Sequence, residues 1–235
     1  SMGQGITFQM DDWDFKSESI LTSLPQQETE KLARHQSVFQ FNKGDSIFRE
    51  GGFPAGIFFI REGKIKKFKT DKDGKEHVIY IAGNGELMGY HAVLSNEPYP
   101  DSATAIEKSL VIFIPKEDFL EVLQESDILG KRLLKILSHD YAVLANNIAT
   151  YAHKPVKERL ALQLAVLCEK YKTVPGSNAP VSINISRDDL ASLVGTAREN
   201  VVRLLSVLKA ENILETKGSK IVIHNIPALL AIAGC

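Results

Sequence analysis

Arg198, Glu199 and Arg203 carry the chemistry for reading the edges of base pairs. A guanidinium donates two parallel hydrogen bonds to O6 and N7 of a guanine. A carboxylate accepts from the amino group of a cytosine. Val201, Leu204 and Leu208 recur among them at helical spacing, so that face turns inward and the three charges turn outward near the helix start. Thr196 stands where a side chain would cap this helix, with Glu199 in the capping-box position and Asn200 on the same turn. Just upstream, Ser186 is placed to N-cap another helix, with Asp189 behind it and Leu190, Leu193 and Val194 on its apolar face. Gly195 separates the two and supplies the tight turn. Two short helices joined in this way form a helix-turn-helix, whose second helix enters the major groove.

The plain alternative is a helical hairpin with solvated charges. The flanking sequence argues against it. Residues 213–216 and 221–224 read as strands around Lys217-Gly218-Ser219-Lys220, a two-stranded wing with two lysines at its tip. Residues 181–185 alternate apolar and polar, as a half-buried strand does. A winged helix-turn-helix accounts for the whole stretch.

The other elements must position this one. Residues 38–41, 46–49, 57–60, 64–70, 77–82, 102–106 and 110–114 are short β-rich runs separated by turn residues, the texture of a small antiparallel barrel or roll. Residues 1–18 carry little pattern and read as a loosely held arm, and Ser1-Met2 looks like an expression scar. A short amphipathic helix follows Pro25, and another is expected over 119–123. A long helix spans about 127–152, about 35–40 Å at 1.5 Å per residue. Along it Leu134, Leu137, Tyr141, Leu144, Ile148 and Tyr151 form a continuous heptad seam. Such a seam is either a core face or a dimerising coiled coil. Leu133, Ile136 and Val143 supply a second apolar face for the roll, which favours the coiled coil. The expected organisation is an arm (1–18), a β-roll (19–126), a dimerisation helix with hinge (127–153) and a winged helix-turn-helix domain (154–235). The fold class is α+β.

Composition bounds the function. The chain has 235 residues, room for two compact domains, with the apolar content of a globular protein. Net charge is −1, but the part from Lys154 onward carries +4 and the remainder −5. No apolar run is long enough to span a bilayer and no secretory signal is evident, so a cytoplasmic location is expected. Cys168 and Cys235 have no metal or redox spacing, which suits a reducing compartment. Cys168 reads as a small buried hydrophobe. The chain has no nucleophile elbow, P-loop, metal-ligand pair or activated cysteine, so nothing here supports an enzyme.

Roll, heptad helix, hinge and winged helix-turn-helix together resemble the catabolite activator (CRP)/FNR family of bacterial transcription regulators. The resemblance runs from about residue 20 to 225. Its most specific parts are Gly44-Asp45, Glu50-Gly51 and Gly63 in the roll, Lys154-Pro155-Val156-Lys157-Glu158-Arg159-Leu160 at the hinge, and residues 185–214. It implies a homodimer formed along the long helix, a cyclic-nucleotide-binding-like jelly roll that controls the hinge, and paired recognition helices on a near-palindromic operator. Arg198, Glu199 and Arg203 match the base-reading positions of the catabolite-activator branch, which implies TGTGA-like half-sites. Ser186, Thr196, Asn200, Lys217 and Lys220 complete the implied DNA-binding set. The exposed loop 173–180 matches the surface that meets RNA polymerase.

The effector site departs from the family pattern. Members that bind cyclic AMP hold the ribose with the Glu of a Gly-Glu pair and the phosphate with the Arg of an Arg-Ser pair. Gly85-Glu86-Leu87 looks like the first at sight. The family also has an earlier Gly-Asp-Phe-Ile, however, which Gly85-Glu86-Leu87-Met88 fits better. That alignment puts Tyr90 at the ribose position, and either alignment puts Asp101 at the phosphate position. An aspartate there replaces a bidentate contact with repulsion. No basic residue other than His91 lies between Gly89 and Ser102 to stand in. No cofactor is expected, and the roll is not expected to bind cyclic AMP in the usual way. His77 and His91 invite a haem reading, but a lone histidine is more often structural. Another small effector near Tyr90, His91, Asp101, Ser102, Asn146 and Asn147 stays open, as does an empty roll. The expected function is a sequence-specific DNA-binding regulator. The alternative is a ligand-sensing or interaction module with a vestigial DNA-binding domain.

Overall fold

The computed structural model describes residues 8–177 and 179–235. The chain divides into two compact units. One holds residues 15–142, and the other holds residues 143–235 with the N-terminal stretch up to Asp14.

In the first unit, Ser17–Ser19 forms a single 3-10 turn and α1 spans Gln26–Ala33 from Pro25. Then come β1 (Ser37–Phe41), β2 (Ser46–Phe48), β3 (Gly56–Glu62), β4 (Ile65–Thr70), β5 (Glu76–Ala82) and β6 (Leu87–Met88). The short α2 (Tyr90–Ser95), β7 (Ser102–Ala105) and β8 (Ser109–Pro115) follow, then α3 (Lys116–Glu125) and the long α4 (Asp127–His153). Two antiparallel four-stranded sheets form, in the orders β1-β8-β3-β6 and β2-β7-β4-β5. This is the expected roll, and each of the seven anticipated strands is present. Sequence reading had no signal for β6 and α2.

The pleat of β3 explains how one sheet serves two cores. Phe58 and Ile60 point into the roll and pack with Ile65, Tyr80, Ala103 and Val111. Ile57 and Phe59 point the other way, to a cluster containing Leu32, Ile112, Phe119, Leu129 and Leu133. Leu133 and Ile136 of α4, two of the three residues anticipated to pack on the roll, are buried there together with Leu129, while Val143, the third, is buried but is not part of that cluster. The end of the arm, at Phe15 and Ser17, is less loose than expected. Ser17 is buried, and the Phe15 ring meets Tyr80 edge-on at 4.6 Å. Ser1 and Met2 lie outside the described residues.

On α4, Leu134, Tyr141 and Ile148 are 70, 76 and 72 % exposed, and Leu144 is exposed too. Leu137 is partly buried against the roll cluster. Among the described residues no helix is long and apolar enough to cross a membrane.

In the second unit, Met10–Asp12 forms a 3-10 turn. Past His153, the unit continues with α5 (Val156–Tyr171), β9 (Val181–Asn184), α6 (Arg187–Val194) and α7 (Arg198–Ala210). It closes with β10 (Leu214–Lys217), β11 (Lys220–Ile223) and α8 (Ile226–Ala233). The three strands pair antiparallel in the order β10-β11-β9. Cys168 is buried on α5, and burial pushes its thiol up to about 12.

Candidate nucleic-acid interface

The helix-turn-helix is assembled by a few specific bonds. The Ser186 hydroxyl caps α6 by accepting from the Asp189 backbone N–H at 3.0 Å. Gly195 ends α6 at φ 79°, a conformation that side chains resist. Its N–H and that of Thr196 both donate to the Ala191 carbonyl, at 2.9 and 3.0 Å. The turn is then clamped from α5: Arg159 Nε donates to the Val194 carbonyl at 3.0 Å and Nη2 to the Gly195 carbonyl at 3.1 Å. The Tyr151 hydroxyl donates to the Leu193 carbonyl, and its ring lies where a Gly195 side chain would begin. Arg159 sits in the hinge motif, but nothing in its spacing marks it as this clamp. Tyr151 closes the heptad pattern, yet its hydroxyl is bound within the chain.

Thr196 does not cap the next helix. Ala197 holds the N-cap position of α7, in an extended conformation and without a side-chain bond. The Gly195 turn carries one residue further than a capping box would. The Thr196 hydroxyl instead accepts from Asn200 Nδ2 at 3.0 Å. Glu199 therefore lies in the first turn of α7 with no capping duty.

The recognition face follows from the burial of its opposite. Val201, Leu204, Leu205 and Leu208 are buried, and Arg198, Glu199 and Arg203 are exposed. Arg198 pairs with Asp188 at 3.1 Å, with both side chains more than half exposed. Such a pair is worth at most about 1 kcal/mol and yields readily to a base or phosphate. The wing is tied to the same face. Lys217 and Lys220 pair across its turn, both exposed, and Arg187 Nη2 donates to the Gly218 carbonyl at 2.8 Å. Arg187 was not singled out from sequence. Burial, and after it the neighbouring Arg198, lowers its pKa.

The roll residues have a different character. The Tyr90 hydroxyl donates to Asp140 Oδ2 at 3.1 Å, and His91 Nε2 lies 2.8 Å from the same oxygen. Burial, then Asp140, pushes the Tyr90 pKa far above its ordinary value. Asp101 pairs with Lys67 at 3.3 Å, both side chains largely buried. This corrects the expectation that His91 alone was available: antiparallel pairing of β4 with β7 brings Lys67 opposite Ala103. Ser102 Oγ accepts from the Glu50 N–H at 2.9 Å. Glu86, the ribose residue of the other alignment, is buried and accepts from Gly83 N–H and the Tyr80 hydroxyl, both at 2.5 Å. Asn146 donates to the Asp12 carbonyl at 3.3 Å, and Asn147 is half-buried. His77 lies 2.9 Å from Asp71. Tyr90 and His91 thus share one partner, while Asp101 and Ser102 have others.

Residues 38–126 match the Cyclic nucleotide-binding domain family, and residues 158–232 match the Crp-like helix-turn-helix domain family. The chain belongs to the CRP/FNR family of transcription regulators. It is 28 % identical over 192 residues to the Fumarate and nitrate reduction regulatory protein of Yersinia pestis, covering 82 % of this chain and 76 % of that one. It is 24 % identical over 194 residues to the CRP-like cAMP-activated global transcriptional regulator of Mycobacterium tuberculosis, covering 83 % and 87 %. The structure of FixK2 from Bradyrhizobium japonicum superposes with a TM-score of 0.73 at 21 % identity, over 84 % of this chain and 96 % of that one. In CRP/FNR terms, α6 and α7 are the DNA-binding helix-turn-helix, and the two facing sheets are the cyclic-nucleotide-binding-type roll.

Proposed function

We propose that this CRP/FNR-family regulator works as a homodimer on a near-palindromic operator with TGTGA-like half-sites. The observation that carries the reading is the exposed, charged start of α7 over a fully apolar back. Arg198 and Arg203 would each take a guanine and Glu199 a cytosine. Thr196, Asn200, Ser186, Lys217 and Lys220 would hold the adjoining phosphates and fix the register. Leu134, Tyr141, Leu144 and Ile148 form the exposed part of the proposed dimer seam. We assign residues 19–126 to sensing, 127–153 to dimerisation and the hinge, and 154–235 to DNA. The loop 173–180, in which the described residues are mostly exposed, is the surface we assign to RNA polymerase.

Cyclic AMP is not the effector in this reading. The acid at its phosphate position is already neutralised by Lys67, which leaves no net positive charge for a phosphodiester.

The test is the double variant Arg198→Ala/Arg203→Ala, assayed by DNA-binding anisotropy and thermal melting. Loss of specific binding with an unchanged Tm supports the reading. Retained specific binding would show that α7 does not read the operator. An intact wild-type fold with no specific site among random duplexes would favour a sensing module with a vestigial DNA-binding domain.

A further inference from the structure

Strand register aligns Leu87, Phe59 and Ile112 in one row across β6, β3 and β8. That row faces α1. With Leu21, Leu32 and Ile114 it floors a cavity of about 250 Å³ between the sheet and the N-terminal helical segment. Protein interiors close-pack, and voids larger than a water are few. An apolar cavity of roughly 150 Å³ is enough to take benzene. This one is larger, opens to solvent on one side, and is not filled by side chains of the described residues. The inside of the roll is different. There Phe48 stacks on Tyr99 at 4.2 Å and Phe58 meets Phe113 at 5.2 Å, so aromatic rings occupy the space.

The mouth of the cavity carries Glu18, Thr22, Thr29 and Gln36, and no Lys or Arg is among the described residues that line it. Hydroxyl and amide groups there can pair with one neutral polar group. A carboxylate or phosphate would lose its hydration there without a lining cation to receive it. The floor fits one or two fused rings.

We propose that this cavity, outside the roll interior, is a ligand site for a small neutral aromatic molecule, such as an indole or a phenol, with its polar group at the mouth. Its floor belongs to the same apolar cluster as Leu129, Leu133 and Ile136 of α4. An occupant would therefore bear on the packing of the long helix.

Indole is the probe, titrated by calorimetry into the full-length protein with methyl-labelled Leu and Ile. The expected result is saturable binding with methyl shifts at Leu21, Leu32, Leu87, Ile112 and Ile114, while Ile60 and Ile65 inside the roll stay still. Ala33 is exposed and lines the cavity, so Ala33→Trp should fold normally and cover the mouth. It should weaken indole by at least about tenfold, and indole-3-acetate should bind wild type at least about tenfold more weakly than indole. Absence of saturable binding, shifts at Ile60 and Ile65, or equal affinity in Ala33→Trp would overturn the site. Equal affinity for indole-3-acetate would overturn the ligand class. No arm of the experiment uses DNA, so its outcome is independent of the operator reading.

Discussion

The helix-turn-helix and the roll both present charged and polar side chains, but they spend them differently. On α7 the hydrogen-bonding capacity of Glu199 and Arg203 points to solvent, and Arg198 is held only by an exposed ion pair. In the roll Asp101 is joined to Lys67, Glu86 to Tyr80 and the Gly83 backbone, and Asp140 to Tyr90 and His91. A surface built for an outside partner leaves its donors unspent. The roll groups are mostly paired with one another, although the second carboxylate oxygen of Asp140, Oδ1, is buried with no hydrogen-bond partner among the described residues.

The largest effect should come from the seam. Leu144→Asp with Ile148→Asp puts charge on an apolar stripe that the single chain leaves exposed. Conversion to monomer, read by light scattering, is expected, and an unchanged dimer mass would remove the coiled-coil claim. Next is the hub of the roll. Asp140→Ala leaves the buried Tyr90 hydroxyl and the His91 nitrogen without their acceptor, and should cost about 1–3 kcal/mol in chemical denaturation. Operator selectivity should persist in the folded fraction. If selectivity fell and stability did not, the roll cluster would be the one serving an outside ligand.

On the other side of the comparison, Arg203→Ala should cost about 1–3 kcal/mol at one base pair and relax selectivity there, with little change in Tm. A uniform loss over all sequences would instead make Arg203 a phosphate contact. The smallest effect concerns the thiols. With its pKa pushed up to about 12, Cys168 stays protonated at pH 8 and buried besides. Ellman's reagent at that pH should label the exposed Cys235 and leave Cys168 untouched until denaturant is added. Rapid native labelling of Cys168 would show that the core of the DNA-binding unit opens easily.

Much of the architecture was legible because it rests on local signals. Ser186 caps α6 as its spacing to Asp189 suggested, Gly195 turns where a glycine was needed, and the wing turns at Gly218. The failures have separate causes. Thr196, three residues before Glu199, fits the capping-box template, but the length of the turn is set by which amide reaches the Ala191 carbonyl, and Ala197 takes the cap. β6 and α2 are too short to show a period, and Gly89 between them, at φ 84°, gives no hint of a helix start. Lys67 and Asp101 meet only because β4 pairs with β7 in one register, and a bulge at Lys67/Phe68 shifts β4 against β5. Pairings set by register between distant segments leave no trace in local spacing. The clamp formed by Arg159 and Tyr151 on the turn was hidden for the same reason.

The account's central claim is tested most directly by fluorescence anisotropy of the ligand-free protein on a palindromic TGTGA duplex and on a scrambled one, each at two salt concentrations. The account predicts affinity for the palindrome on the order of a thousandfold higher at physiological salt, with cyclic AMP making no difference. Equal affinity for both duplexes, falling steeply and in parallel with salt, would contradict it. The exposed arginines of α7 would then be binding phosphates, and the protein would not be reading sequence through them.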